Sequence, residues 1–310
     1  MTSGERALRE GAALIEGVPR AVFTVTGERR LGYLHDVIAQ DVAGLTPGRG
    51  ACAAVLTANG RVAAEVRVLP CPDEVLLDSE EAAGPGVLTY IARHAGLAGC
   101  EVIEVTGRFA LAALRGPRTD GALGDAGLPV PGEAEAEFAM DGSVLVVRVG
   151  WGAAGVDLLG PREAVRDAAM RLGVERATLA ELEAARIEAG RPRFGIDVTE
   201  ELLVNETPLL EHGVCLTKGC YPGQESVARV HNLGHARRAL RGLRSNAPAE
   251  DGALVAAAEV RMEGVVVGRV TSAAALPSGG GVAIALLREE IPEGATVRAG
   301  GTEAVVAELA

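Results

Sequence analysis

Apolar and polar residues alternate in short blocks along the chain, and the spacing within each block predicts an element. Leu8, Ala12 and Ile15 fall four and three apart, the spacing of one helical face, and Gly17-Val18-Pro19 ends that predicted helix. Ala21–Thr26 alternates as a strand does, and Leu31, Leu34 and Ile38 form a second helical stripe. Ala51–Ala58 and Arg61–Leu69 flank Asn59-Gly60. That pair suits a two-residue type I′ hairpin turn, whose central positions both need φ > 0. Strands are predicted over Val75–Asp78 and Glu101–Val105, with a helix near Ala83–His94 between them.

Residues 116–136 combine Gly, Pro and acidic residues without periodicity and read as a loop. Strand patterns follow at Ser143–Val149 and Val156–Leu159, then a helix over Pro161–Leu172. Thr178-Leu-Ala-Glu181 is a capping box, and Gly190 and Pro192 stop the helix it opens. Beyond residue 238 no helical stripe occurs. Val260, Val265–Val270, Val282–Leu287 and Ala304–Leu309 are β-rich and separated by Gly and Pro, the pattern of a small barrel or sandwich. The predicted class is α+β. An N-terminal α+β part, 1–236, with a loop or linker near 116–136, is expected to be followed by an all-β domain over 237–310.

Composition narrows the function. A chain of 310 residues with 48% apolar residues has enough material for several cores. Its net charge of −12 argues against bare nucleic acid as a direct partner, because phosphate binding needs a basic footprint. No apolar run approaches the ~18–20 residues that span a bilayer, so no membrane partner is expected. Met1–Arg6 is charged and does not read as a signal peptide. Five cysteines, at 52, 71, 100, 215 and 220, form no framework and suit reduced thiols in the cytoplasm. Of 30 basic residues, only Lys218 is lysine.

The chemical content concentrates in 185–229. Glu188 sits in the last turn of the capped helix, where the dipole disfavours an anion. It is either a solvated partner of Arg186 or Arg191, or a carboxylate that takes two parallel N–H donors from a planar, amide-bearing ligand. In Lys218-Gly219-Cys220-Tyr221-Pro222-Gly223-Gln224-Glu225, Pro222-Gly223 suits a type II turn. If 216–220 is extended, Lys218 and Cys220 share a face and the ammonium favours the thiolate. Glu225 and Arg229 have i,i+4 spacing. The segment is either an ordinary surface turn with a small buried cysteine or a site carrying a cation, a thiol, a phenol, an amide and a carboxylate. The sole lysine falls within it, at a place where arginine is a poor substitute. Cys215 and Cys220 lack further ligands at iron–sulfur or zinc spacing, and Gly234 interrupts His231 and His235, so no metal is expected. Trp151 is either a stacking surface or a strand-end core aromatic.

Lys218–Glu225 matches the K-G-C-Y-x-G-Q-E signature, and the chain resembles the YgfZ-type folate-binding proteins. These are relatives of the glycine-cleavage T-protein, an aminomethyltransferase. Val25-Thr26-Gly27 through Asp36, Gln40-Asp41-Val42, the Arg186–Asp197 motif, Gly268–Ser272 and Ala283–Leu286 are similar to the family's other segments. The resemblance implies two α+β subdomains and a C-terminal β-barrel around a channel, with tetrahydrofolate or a derivative as cofactor. Glu188 matches a pterin-contacting carboxylate, and Cys220 matches the signature thiol. Lys218 would tune that thiol, while Tyr221, Gln224, Glu225 and Arg229 shape the site. The implied role is folate-dependent assembly or repair of iron–sulfur client proteins, and through them tRNA modification. The alternative is a tetrahydrofolate-dependent aminomethyl or one-carbon transferase. The T-protein's acidic pair corresponds here to Ala64-Glu65, leaving Glu65 as its acidic group.

Overall fold

The computed structural model describes residues 1–150, 154–234, 236–246, 253–277 and 279–309. Trp151 and His235, singled out above, lie outside the described residues.

Helix α1 (Ser3–Glu10) opens on a capping box between Thr2 and Glu5 and stops at Gly11. The predicted stripe is therefore split. Leu8 belongs to the helix, but Ala12 precedes and Ile15 lies within strand β1 (Ala13–Glu16), whose first three residues are all buried. A strand covered on both faces reads as a continuous apolar run, which periodicity alone does not separate from a helix turn.

Two sheets carry the first 176 residues. One consists of β2 (Ala21–Thr26), β3 (Ala51–Leu56), β4 (Val62–Pro70), β5 (Val75–Ser79) and β6 (Glu101–Glu104), in the antiparallel order β3-β4-β5-β2-β6. Helix α2 (Arg30–Val37) and a helical run pack on one of its faces. That run comprises α3 (Gly84–Val87), a π turn (Leu88–Ala92) and α4 (Arg93–Ala95).

The other sheet adds β1 to β7 (Phe109–Arg115), β8 (Phe138–Asp141), β9 (Val144–Val149), β10 (Gly155–Pro161) and β11 (Glu175–Arg176), in the order β11-β1-β7-β10-β9-β8. Helices α5 (Thr119–Asp125) and α6 (Arg162–Arg171) cover its outer face. The loop expected over 116–136 therefore contains α5. Thr119 closes its start by donating from Oγ1 to the Gly116 carbonyl (2.8 Å).

The inner faces of the two sheets meet in one core that includes Ile15, Val22, Leu69, Leu76, Leu111, Val147 and Leu159. Further on come α7 (Leu179–Glu188), α8 (Leu209–Gly213) and α9 (Gln224–Leu233). A six-stranded closed barrel then runs β12 (Arg238–Ser245), β13 (Glu259–Met262), β14 (Val265–Ala275), β15 (Gly281–Arg288), β16 (Thr296–Ala299) and β17 (Thr302–Ala307). Leu240, Val282 and Ile284 of the barrel join the core beneath the first sheet.

The β3–β4 hairpin forms where the sequence places it, but with a different turn. Only Gly60 has positive φ (75°), and the ladder closes with Thr57 N–H donating to the Arg61 carbonyl (3.0 Å). That is a three-residue loop ending on a left-handed glycine, the geometry of a type I turn with a bulge.

Candidate functional site

A cavity of about 470 Å³ opens between the two sheets, α7 and the segment 191–196. Its floor is ionic. Glu65 and Arg67 alternate on β4 and so face the same way. Arg67 is 4% exposed and donates from Nε to Asp78 (2.6 Å) on its own sheet and from Nη1 to Asp157 (2.6 Å) on the other. Arg20 completes Asp78 (Nε, 2.8 Å) and reaches Glu80 (Nη1, 2.6 Å), while Arg115 completes Asp157 (Nη2, 2.6 Å). Burial raises the Asp157 carboxyl, but Arg115 and Arg67 outweigh it and hold the group well below the usual carboxylate range. Burial likewise lowers Arg67 and Arg20, and their carboxylates more than restore both. Every charge in this ladder is stabilised by another, and its middle member bridges the sheets.

Beside the ladder is a polar recess of about 30 Å³, lined by Arg20, Glu65, Arg67, Glu80 and Arg191. It has room for about one water. Burial pushes the Glu65 carboxyl upward against the pull of Arg191, whose Nη2 lies 4.0 Å away. Arg191 also reaches Glu135 (3.6 Å), and Glu135 accepts the Cys52 thiol (3.5 Å). Burial, then Glu135, push that thiol well above its ordinary value.

The wall is α7. Its predicted capping box is present, with Thr178 and Glu181 satisfying each other's backbone. Glu183 faces the cavity and accepts from Arg186 (Nε, 3.0 Å; Nη2, 2.5 Å) and Arg193 (Nη1, 2.9 Å). Arg186 continues to Asp197 (Nη1, 2.6 Å). Leu179 and Ile196 are exposed apolar residues at the rim, with Leu182 and Phe194 deeper in the lining.

Glu188 lies five residues beyond Glu183, about 140° round the helix at 100° per residue. It does not line the cavity. It pairs instead with Arg9 of α1 (Nη1, 3.1 Å; Nη2, 2.5 Å). The α7 carboxylate in the cavity is thus Glu183, which the motif reading passed over. Its one sequence signal was the i,i+3 spacing to Arg186.

The segment 218–225 has a different character. Residues 216–219 form turns and bends, not an extended strand, so Lys218 and Cys220 do not share a strand face. The Lys218 ammonium is buried and donates to three backbone carbonyls, those of Ile38 (2.8 Å), Gln40 (3.0 Å) and His35. It also lies 5.4 Å from the centre of the Tyr221 ring. These oxygens cluster at the C-terminal end of α2, where a cation is favoured. Three N–H bonds radiating from one nitrogen match three converging carbonyls, a demand that a planar guanidinium does not meet. The lysine's hydrogen bonds thus go to the backbone, a structural role beside the expected one of tuning Cys220. Cys220 itself is exposed. The thiol whose pKa is lowered in this loop is Cys215, through Thr217 (Sγ to Oγ1, 3.5 Å).

The predicted type II turn is present. Gly223 has φ 86°, ψ −6°, and Gln224 N–H donates to the Tyr221 carbonyl (3.2 Å). A Cβ on Gly223 would sit 2.5 Å from the Thr57 carbonyl oxygen, so glycine is required where this turn docks on the β3–β4 hairpin tip. Tyr221 is buried in the main core, and Gln224, Glu225 and Arg229 lie on α9. Among the described residues no ion pair joins Glu225 to Arg229, and no group of three His, Cys, Asp or Glu side chains is placed to hold a metal. None of Glu188, Lys218, Cys220, Tyr221, Gln224, Glu225 or Arg229 lines the 470 Å³ cavity.

Residues 2–210 match the GCVT N-terminal domain family. An aminomethyltransferase of Alcanivorax borkumensis is 27% identical over 301 residues, covering 94% of this chain and 80% of that one. A putative chloroplastic transferase of Arabidopsis thaliana is 26% identical over 266 residues, and the match spans 80% of this chain but only 58% of the plant protein. The fold matches the crystal structure of the glycine cleavage system aminomethyltransferase T from Bartonella henselae, with a TM-score of 0.85 and 23% identity over 99% of this chain and 87% of that one.

Proposed function

The chain belongs to the GCVT N-terminal domain family, and from that premise we propose that it binds tetrahydrofolate or a derivative between its two sheets and serves the assembly or repair of iron–sulfur proteins. The observation that carries the folate reading is the cavity. Six arginines and four carboxylates line it in a chain whose net charge is −12. A ligand's carboxylates can take the place of the protein carboxylates that pair with arginines at the cavity wall, and the apolar lining of Leu179, Leu182, Phe194 and Ile196 suits a flat ring. Folate has both. Arg191 and Arg193, which pair with Glu135 and Glu183 in this structure, would exchange those partners for its anionic end, leaving Glu183 to accept ring N–H groups. Ring contact through Glu188, as the resemblance implies, requires its pair with Arg9 to open.

The iron–sulfur part rests on the Lys218–Glu225 signature and on the exposure of Cys220. In this reading the clip formed by Lys218, Tyr221 and Gly223 holds Cys220 at the surface, where a client's thiols or cluster can reach it. Calorimetric titration with tetrahydrofolate tests the ligand. Binding is expected, and an absence of heat together with unchanged thermal stability overturns it. Complementation of an iron–sulfur enzyme defect by Cys220→Ala tests the thiol. Loss of complementation with intact folding is expected, and full complementation removes Cys220 from the function.

One observation favours the transferase reading. Glu65, which the resemblance matches to the T-protein's acidic position, lines the recess beside the cavity, with its carboxyl pushed upward by burial. Burial favours the protonated form of this carboxyl, the form that can donate a proton. Turnover of tetrahydrofolate with an aminomethyl donor to methylene transfer, lost in Glu65→Gln, would establish that reading over the first.

A further inference from the structure

The cavity wall at 191–196 is irregular backbone, and such a segment keeps a fixed position only if something outside it holds it. Asp197 does. Its side chain is fully buried, and four donors converge on it. Oδ2 accepts Arg186 Nη1 (2.6 Å) and the Arg193 backbone N–H (3.0 Å), both from the cavity wall. Oδ1 accepts the hydroxyls of Thr271 (2.5 Å) and Ser272 (2.6 Å), both from β14 of the barrel. Arg186 Nη2 also donates to Ser272 Oγ (2.8 Å).

Neighbouring residues of a regular strand point to opposite faces, so Thr271 and Ser272 would not ordinarily reach one oxygen. Here the β14–β15 register slips between Val270 and Ser272, leaving Thr271 as the extra residue. A bulge of this kind re-aims side chains. Its effect is to bring two hydroxyls of one strand onto a single buried carboxylate of another part of the fold.

We propose that Thr271 and Ser272 are positioning residues for the ligand site. Through Asp197 and Arg186 the barrel sets the geometry of the cavity wall, so occupancy of the cavity and order in β14 are coupled. The coupling is reciprocal: a ligand that fixes the wall must also stabilise β14. The ligand half of this inference rests on the folate reading above, whereas the mechanical half does not.

The test uses the full chain carrying Thr271→Val and Ser272→Ala, with Thr271→Ser as the variant that keeps its hydroxyl. Amide exchange is read without ligand, and calorimetry is run with 5-formyltetrahydrofolate as the probe. In the double variant, exchange over 191–197 should accelerate about tenfold or more, the scale of losing hydrogen bonds to a charged group. Exchange in β16, β17 and α6 should stay unchanged, and probe affinity should fall by a similar factor. Thr271→Ser should restore both to wild-type values. In wild type, the probe should slow exchange in β14. Unchanged exchange at 191–197 in the double variant overturns the latch. Unchanged affinity, in a wild type that binds the probe, overturns its role in the site. Should wild type ignore the probe, the folate reading fails and the exchange measurement still decides the latch. If the double variant does not fold, Thr271→Val and Ser272→Ala singly carry the same readouts.

Discussion

The cavity wall from Glu183 to Asp197 and the segment from Lys218 to Glu225 are both dense in reactive residue types, yet they use them oppositely. In the wall, charges face charges: Glu183, Arg186, Arg193 and Asp197 pair among themselves, and the first three border an open volume. In the segment, the charge faces backbone. Lys218 closes on three carbonyls, Tyr221 enters the core, and Gly223 lies against Thr57. Cys220 is left at the surface. Residue types that suggest catalysis in a motif can therefore be a clip that presents one side chain, while the ligand-sized space lies elsewhere.

The largest test of this contrast is Asp157→Ala. It leaves Arg67 and Arg115 buried without their shared carboxylate, a change that costs about 3–5 kcal/mol. Urea denaturation should show the midpoint falling accordingly, and a loss under about 1 kcal/mol would mean that water already enters the ladder.

Next is Lys218→Arg, which keeps the charge. If the clip is structural, stability falls by about 1–3 kcal/mol, from carbonyls left without donors. Denaturation separates the two roles: an equally stable variant that loses complementation would return Lys218 to the chemistry.

Asp157 of the cavity and Glu65 of the recess beside it should then respond to pH in opposite directions. Asp157 is depressed in the folded state, so its contribution is complete above the unfolded value of about 3.9 and fades as pH falls below it. Glu65 is raised, so its folded form is favoured at low pH and loses that advantage as pH rises through the folded value. Stability of Glu65→Gln relative to wild type should therefore improve from pH 4 to pH 7. A difference that is flat across this range would place Glu65 in contact with solvent.

The smallest effect belongs to Glu225→Gln. Without an ion pair to Arg229, it should change stability by no more than about 0.5 kcal/mol. A larger loss would reveal a partner for α9.

Much of the architecture was legible in local patterns. Thr178 and Glu181 announced α7, Pro222-Gly223 announced its turn, and the valine-rich tail announced the barrel. These signals depend on neighbours a few residues apart. What stayed hidden depends on distant ones. Asp157 is 90 residues from Arg67, and Ile38 is 180 from Lys218, so no spacing rule relates them. Strand β7, Phe-Ala-Leu-Ala-Ala-Leu-Arg, lies between β1 and β10 and contains residues with strong helix propensity. Burial on both faces overrides that preference. Glu183 was missed for a related reason: which side of α7 faces the cavity is decided by α1 and the barrel, not by α7.

Lys218 has one consequence for the laboratory. A reagent that acylates side-chain amines finds one lysine in this sequence, and its amine is enclosed by carbonyl oxygens. Acylation at 218 can proceed only while that enclosure is open. The protein therefore carries a built-in clock, in which the rate of mass gain at one position counts the excursions of the clip from its closed state.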